Sequence, residues 1–163
     1  MAPGFTISLL RVEGMRLASL VDEFRGLLSD GDPTDAAILR LTPDPYPGDA
    51  DAGRSYAEST RSDIYDRRRA DAAAVRAALA EFPLDADGLS EEDALREHDV
   101  RVTAATLDSW LRTLNAIRLV LAERLEISAD DDHDPADPRF AVYEWLGYRL
   151  ELLIQSADEL PPS

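Results

Sequence analysis

The sequence predicts an all-α fold, and three observations predict it. Apolar residues recur at helical spacing over most of the chain, as in Leu107, Leu111, Leu114, Leu121 and Leu125. Helix-start signals precede several of these stretches, among them the pairs Asp32-Pro33 and Asp137-Pro138. Pro- and Gly-rich breaks separate them, the densest being Pro43, Pro45, Pro47 and Gly48. At 163 residues and 45% hydrophobic content the chain is long enough to bury a core and short enough for one domain. The expectation is a bundle-like array of about five helices, with room for a small two-stranded ribbon at residues 5–7 and 100–102.

Taken in order, Phe5 to Ile7 reads as a short strand, with Ser8 as a helix cap. Leu10, Leu17, Leu20, Val21, Phe24 and Leu28 mark an amphipathic helix that ends near Asp30 and Gly31. Asp32-Pro33 opens a short helix through Leu41, and a loop at 42–48 carries Tyr46. Helix returns from Asp49 to Thr60. A second one starts at Ser62 or Asp63, with the stripe Ile64, Arg68, Ala72, Val75, Leu79 and Phe82. Residues 83–99 read as a solvated loop with one helical turn at Ser90 to Glu97. Val100 to Val102 alternates like a strand. Thr103 caps a helix to Ile127, a charged loop covers 128–136, and a last helix to Ala157 turns Tyr143, Leu146, Leu150 and Ile154 inward.

Composition excludes several chemistries. The chain has 33 acidic and 17 basic residues, a formal net charge of -16, so its field repels nucleic acid and anionic membranes. Every basic residue is Arg, which rules out Schiff-base lysines and a P-loop lysine. There is no Cys, so thiol catalysis, disulfides and Cys-ligated metals are out. No leader-like segment and no run near the roughly 18 apolar residues of a membrane span is seen, and the expected location is cytoplasmic.

One polar residue stands out. Arg118 interrupts the stripe Leu107, Leu111, Leu114, Leu121 and Leu125, and a guanidinium drawn into a core must find an acceptor. With Arg40, Arg68, Asn115 and Tyr46 it forms a candidate constellation. It reads first as an internal network in which Arg118 meets Glu144 or Glu151, seven residues apart on one helix face. It reads second as a pocket for a phosphate, a carboxylate or a peptide tail, since guanidinium forks bind oxyanions bidentately.

Weaker constellations complete the survey. Asp130, Asp132 and Asp134 could hold a hard cation, but the loop lacks the Gly and distal Glu of an EF-hand and reads better as a solvated connection. Glu123 and Glu126 with Asp63 and Asp66 have the spacing of paired helical carboxylates, without the Glu-x-x-His of di-iron bundles. His98 and His133 lie in charged surroundings, and no Gly-x-Ser-x-Gly elbow accompanies them. Trp110, Tyr143, Trp145 and Tyr148 read as core staples before they read as a binding patch.

Three motifs occur in one order. They are Leu39-Arg40-Leu41 with Pro43 and Tyr46; Trp110 with Leu114-Asn115 and Arg118-Leu119-Val120-Leu121; and Tyr143-Glu144-Trp145-Leu146-Gly147. On these the chain resembles the actinobacterial domain-of-unknown-function family numbered two thousand and seventeen, over nearly its whole length. The resemblance implies no established activity. Its genes often neighbour a Clp protease adaptor and proteins of sulfur-carrier and cysteine metabolism, which implies a regulatory or adaptor role by association. The family often carries Arg after the aromatic of the second helix. This chain has Ala57 after Tyr56, which would weaken an anion site built on that Arg. The expectation is a non-enzymatic protein-binding module with a protein partner, no cofactor, and no nucleic acid or membrane. The alternatives are a small-anion-binding or metal-dependent enzyme using the arginines, and a structural homodimer through the last helix.

Overall fold

The structure, a computed structural model, describes residues 3–41, 50–127, 134 and 136–160, those of 50–60 by backbone alone. The element order is β1 (Gly4–Leu10), α1 (Arg11–Asp30), α2 (Ala36–Arg40), α3 (Ala50–Ala78), α4 (Glu91–Ala94), β2 (Glu97–Thr103), α5 (Leu107–Arg124), a 3-10 turn (Pro138–Phe140) and α6 (Ala141–Asp158). The protein is mostly helical with one antiparallel ribbon. In that ribbon Gly4 faces Thr103 and Leu10 faces Glu97. Both strands outrun the expected 5–7 and 100–102, because polar residues alternate with apolar ones on the water-facing side. In β2, Val100 and Val102 are buried while Asp99 and Arg101 are exposed.

Long helices α1, α3, α5 and α6 build the core. Helix α5 packs against α1, α2, α3 and α6, and α1 packs against α3. Leu17, Val21 and Phe24 of α1 meet Ala72, Val75 and Leu79 of α3, Trp110, Leu114 and Ile117 of α5, and Leu146 and Leu153 of α6. Gly14 is buried on α1 because the Phe82 ring lies against it, where no Cβ fits.

Several expectations need correction. The two helices at 49–60 and 62 onward are one, α3, since the Ser62-Asp63 pair read as a start lies within unbroken helical backbone. Ser8 is a strand residue. The N–H of Leu10, the residue before α1, donates instead to the Glu13 carboxylate (2.9 Å), the far half of a capping box. Asp32 closes a turn on Thr34, and Asp35 caps α2. Thr103 ends β2, and α5 follows Thr106. Within the expected loop 83–99 the helical turn at Ser90 to Glu97 is α4, as expected, but β2 begins already at Glu97. Ile154 is exposed, and Leu153 is buried in its place. Loop 42–48 lies outside the described residues, as does nearly all of 128–136.

Helix α5 shows the largest register change. Its buried residues are Trp110, Thr113, Leu114, Ala116, Ile117 and Ala122, not the stripe through Leu107, Leu111 and Leu121. At 100° per residue the true face is turned by about 70° from the expected one. Arg118 falls at its margin and is half-buried. Asn115 is exposed.

Candidate functional site

Glu13, in the first turn of α1, joins three other residues through one carboxylate. Its carboxylate accepts from Leu10 N–H (2.9 Å), from Trp145 Nε1 (2.7 Å) and from Arg149 Nη2 (3.0 and 3.1 Å). Arg149 also donates Nη1 to the Ser8 carbonyl in β1. One carboxylate thus ties the ribbon, α1 and α6 together. Burial pushes its pKa up, but the bonds from Leu10, Arg149 and Trp145 outweigh that and hold it below the ordinary glutamate value. Trp145 and Arg149 lie four apart on α6, so one helical face presents both donors.

That pinned indole forms one wall of an open cleft of about 280 Å³. Val12, Glu13, Arg16, Ala141, Val142 and Trp145 line it. Val12 is 46% exposed, so part of the apolar lining is open to solvent.

The arginines of the sequence-derived set hold different partners. Arg40 on α2 pairs with Glu123 on α5 (3.3 Å). Next to it, Arg124 holds Asp35 with two bonds of 2.7 and 2.8 Å, so α2 is clipped to the end of α5. The Arg124 bonds and the cap to Ala37 N–H keep the Asp35 carboxyl below its ordinary pKa. Arg68 on α3 donates Nη2 to the Leu41 carbonyl (3.3 Å). Arg118 faces α6. It donates Nε to the Tyr143 carbonyl (3.3 Å) and stacks on the Tyr143 ring at 4.1 Å, in the space that Gly147 leaves open. The expected carboxylate answer is thus replaced by a carbonyl and a ring face. Glu144 and Glu151 sit exposed on α6. Tyr46 lies outside the described residues.

Asp130 and Asp132 lie outside the described residues, and Asp134 is exposed, its carboxylate accepting from Ala136 N–H. Glu123 is engaged by Arg40, and Asp66 by Arg69. Among the described residues no group of three or more His, Asp or Glu could hold a metal ion. Of the aromatics, Trp110 is a core residue, Tyr143 lies under Arg118, Trp145 walls the cleft and Tyr148 is exposed.

A second anchor escaped sequence reasoning. Asp71 of α3 is buried and accepts from Ser109 Oγ (2.9 Å) and from Arg112 Nε and Nη2 (2.8 and 3.1 Å) on α5. Burial raises its pKa, and the Arg112 and Ser109 bonds more than reverse that, so the carboxyl stays ionised.

These features define a mostly helical protein braced by arginine–carboxylate pairs between its elements, with an open apolar cleft beside Trp145. The chain belongs to the family described as Domain of unknown function (DUF2017), which it matches over residues 1–157. No curated protein and no solved structure matches it. Among the described residues no helix is long and apolar enough to cross a membrane.

Proposed function

We propose that this chain is a non-enzymatic, cytoplasmic regulatory or adaptor-like module that binds another protein through the cleft between the starts of α1 and α6. One observation carries the reading. The cleft offers nearly bare apolar surface beside a tryptophan that Glu13 and Arg149 hold in place. A rigid, half-buried aromatic with aliphatic neighbours is the composition of an interface anchor, and it loses little side-chain freedom on binding. Glu13 and the exposed Arg16 supply a polar rim. The charge of -16 favours a partner that presents a basic surface around an apolar side chain. In this reading the docking surface is the cleft rather than the set Arg40, Arg68 and Arg118.

The test is affinity capture from the native cytoplasm with wild type and Val12→Asp side by side. Val12 is exposed, so the variant keeps the fold while placing a charge in the cleft. A protein captured by wild type, lost with Val12→Asp and bound again by purified wild type supports the reading. Identical captures by both chains remove it. A homodimer through α6 is the second reading, favoured by Tyr148 and Ile154 standing exposed on that helix. Sedimentation equilibrium separates the two, because a dimer that persists in Val12→Asp uses another face.

A further inference from the structure

The inward stripe of α3 changes character halfway along. Positions 61, 65, 68, 72, 75 and 79 follow at steps of four, three, four, three and four, so they share one helix face. Ala72, Val75 and Leu79 on that face are fully buried. Its first half is Arg61, Tyr65 and Arg68.

These three residues are short of acceptors. Arg61 Nε, Tyr65 Oη and Arg68 Nε are buried and have no hydrogen-bond partner among the described residues. Arg68 spends one nitrogen on the Leu41 carbonyl. Asp71, one turn further on, is already engaged by Arg112 and Ser109. Burial draws the Arg68 pKa down, and the nearby Tyr65 and Asp71 only partly restore it. Other helix arginines in this acidic chain do find carboxylates: Arg76 meets Asp22, Arg112 meets Asp71 and Arg124 meets Asp35. Leaving a desolvated guanidinium unmatched is costly, and so is leaving a buried donor unmade.

We propose that Arg61, Tyr65 and Arg68 form a binding site for a phosphate-type oxyanion, free or carried on a larger molecule. Two guanidiniums match a dianion. A single carboxylate brings one negative charge, whereas a phosphate near neutral pH brings close to two, spread over its terminal oxygens. Arg61 and Arg68 are two turns apart, about 10 Å along the axis, and Tyr65 lies between them. Both arginine side chains are long enough to converge on one phosphate or to hold a diphosphate between them. None of these residues lines the cleft at Trp145, so this site and the docking surface can fail separately.

The test is isothermal titration of the purified full chain with inorganic phosphate and with pyrophosphate. Sodium acetate and sodium chloride at matched ionic strength serve as references. The expected result is saturable phosphate binding, at least tenfold weaker in Arg61→Gln and in Arg68→Gln. Tyr65→Phe should lose a few-fold, the worth of one neutral hydrogen bond. Arg61→Lys should fall between wild type and Arg61→Gln, because it keeps the charge and loses the fork. If Arg68→Gln does not fold by circular dichroism, Arg61→Gln and Tyr65→Phe decide, since neither parent side chain makes a described hydrogen bond. Acetate binding as tightly as phosphate overturns the assignment. So does heat no greater than that of chloride, or full binding by Arg61→Gln.

Discussion

Replacing Glu13 by Ala tests the central brace of the fold. The change leaves three donors without their acceptor: the Leu10 N–H, the Trp145 N–H and the Arg149 guanidinium. Loss of the capping acceptor costs about 1 kcal/mol. An unmade bond to the indole costs about 1 kcal/mol, and one to a charged group about 2 kcal/mol. The side chains of Glu13 and Arg149 are 21% and 17% exposed, so water recovers part of this. About 3 kcal/mol remains, or roughly 6–12 °C in Tm for a chain of this size. Glu13→Gln keeps one acceptor oxygen and loses the charge, so it should fall by about half as much. Thermal unfolding followed by circular dichroism, with urea titrations at 25 °C, reads both variants. The pH dependence supplies an independent arm. The folded pKa of Glu13 lies below its unfolded value, so its contribution is complete above the ordinary glutamate pKa and fades as pH falls through the folded one. The acid limb of the stability curve should therefore flatten in both variants. A drop under about 1 kcal/mol for Glu13→Ala, with an unchanged acid limb, refutes the reasoning.

The remaining expectations are of the same kind. Asp71→Asn should cost about 2 kcal/mol in urea titrations, less than a fully buried pair because half-exposed Arg112 regains water. The exposed pair Arg69–Asp66 is the control, and Asp66→Asn should leave the midpoint within error. Gly14→Ala should cost about 2 kcal/mol or more, since its methyl must displace the buried Phe82 ring. At Gly147 the nearest atoms a methyl would meet belong to the Arg118 guanidinium, from 3.0 Å, the far end of a long side chain, so Gly147→Ala should be milder. Equal losses at the two glycines, measured by thermal unfolding, would overturn that ranking.

The helical fold, the ribbon and most long helices were legible because one-sided burial leaves a period in the sequence. The Asp137-Pro138 start is seen directly, with Asp137 capping the turn before α6. Helix α5 was misread by part of a turn. Leu119, Val120 and Leu121 continue the apolar pattern round the helix, so periodicity cannot choose between neighbouring faces, and α6 covers a side that looked central. Arg118 consequently looked more deeply buried than it is. The Glu13 hub depends on residues more than 130 positions apart, and a single sequence carries no direct sign of such pairing. Two local signs were available: a Glu three residues after Leu10, at the capping-box position, and the i, i+4 pair Trp145 and Arg149. Asp71 was signalled by its setting, a lone carboxylate in the run Ala70 to Val75. The polar half of the α3 stripe was partly visible in Arg68. Arg61 was missed because the expected break near residue 61 cut the stripe there.

The ribbon also bears on how this protein is made. Strand β1 finds its partner only in residues 97–103, so at roughly 5–20 residues per second the ribosome takes on the order of ten seconds to supply it. Through that interval Leu9 and its neighbours leave the exit tunnel without the surface meant to cover them. A nascent chain of this protein therefore offers greasy β-prone sequence to chaperones until the strand that covers it has been translated.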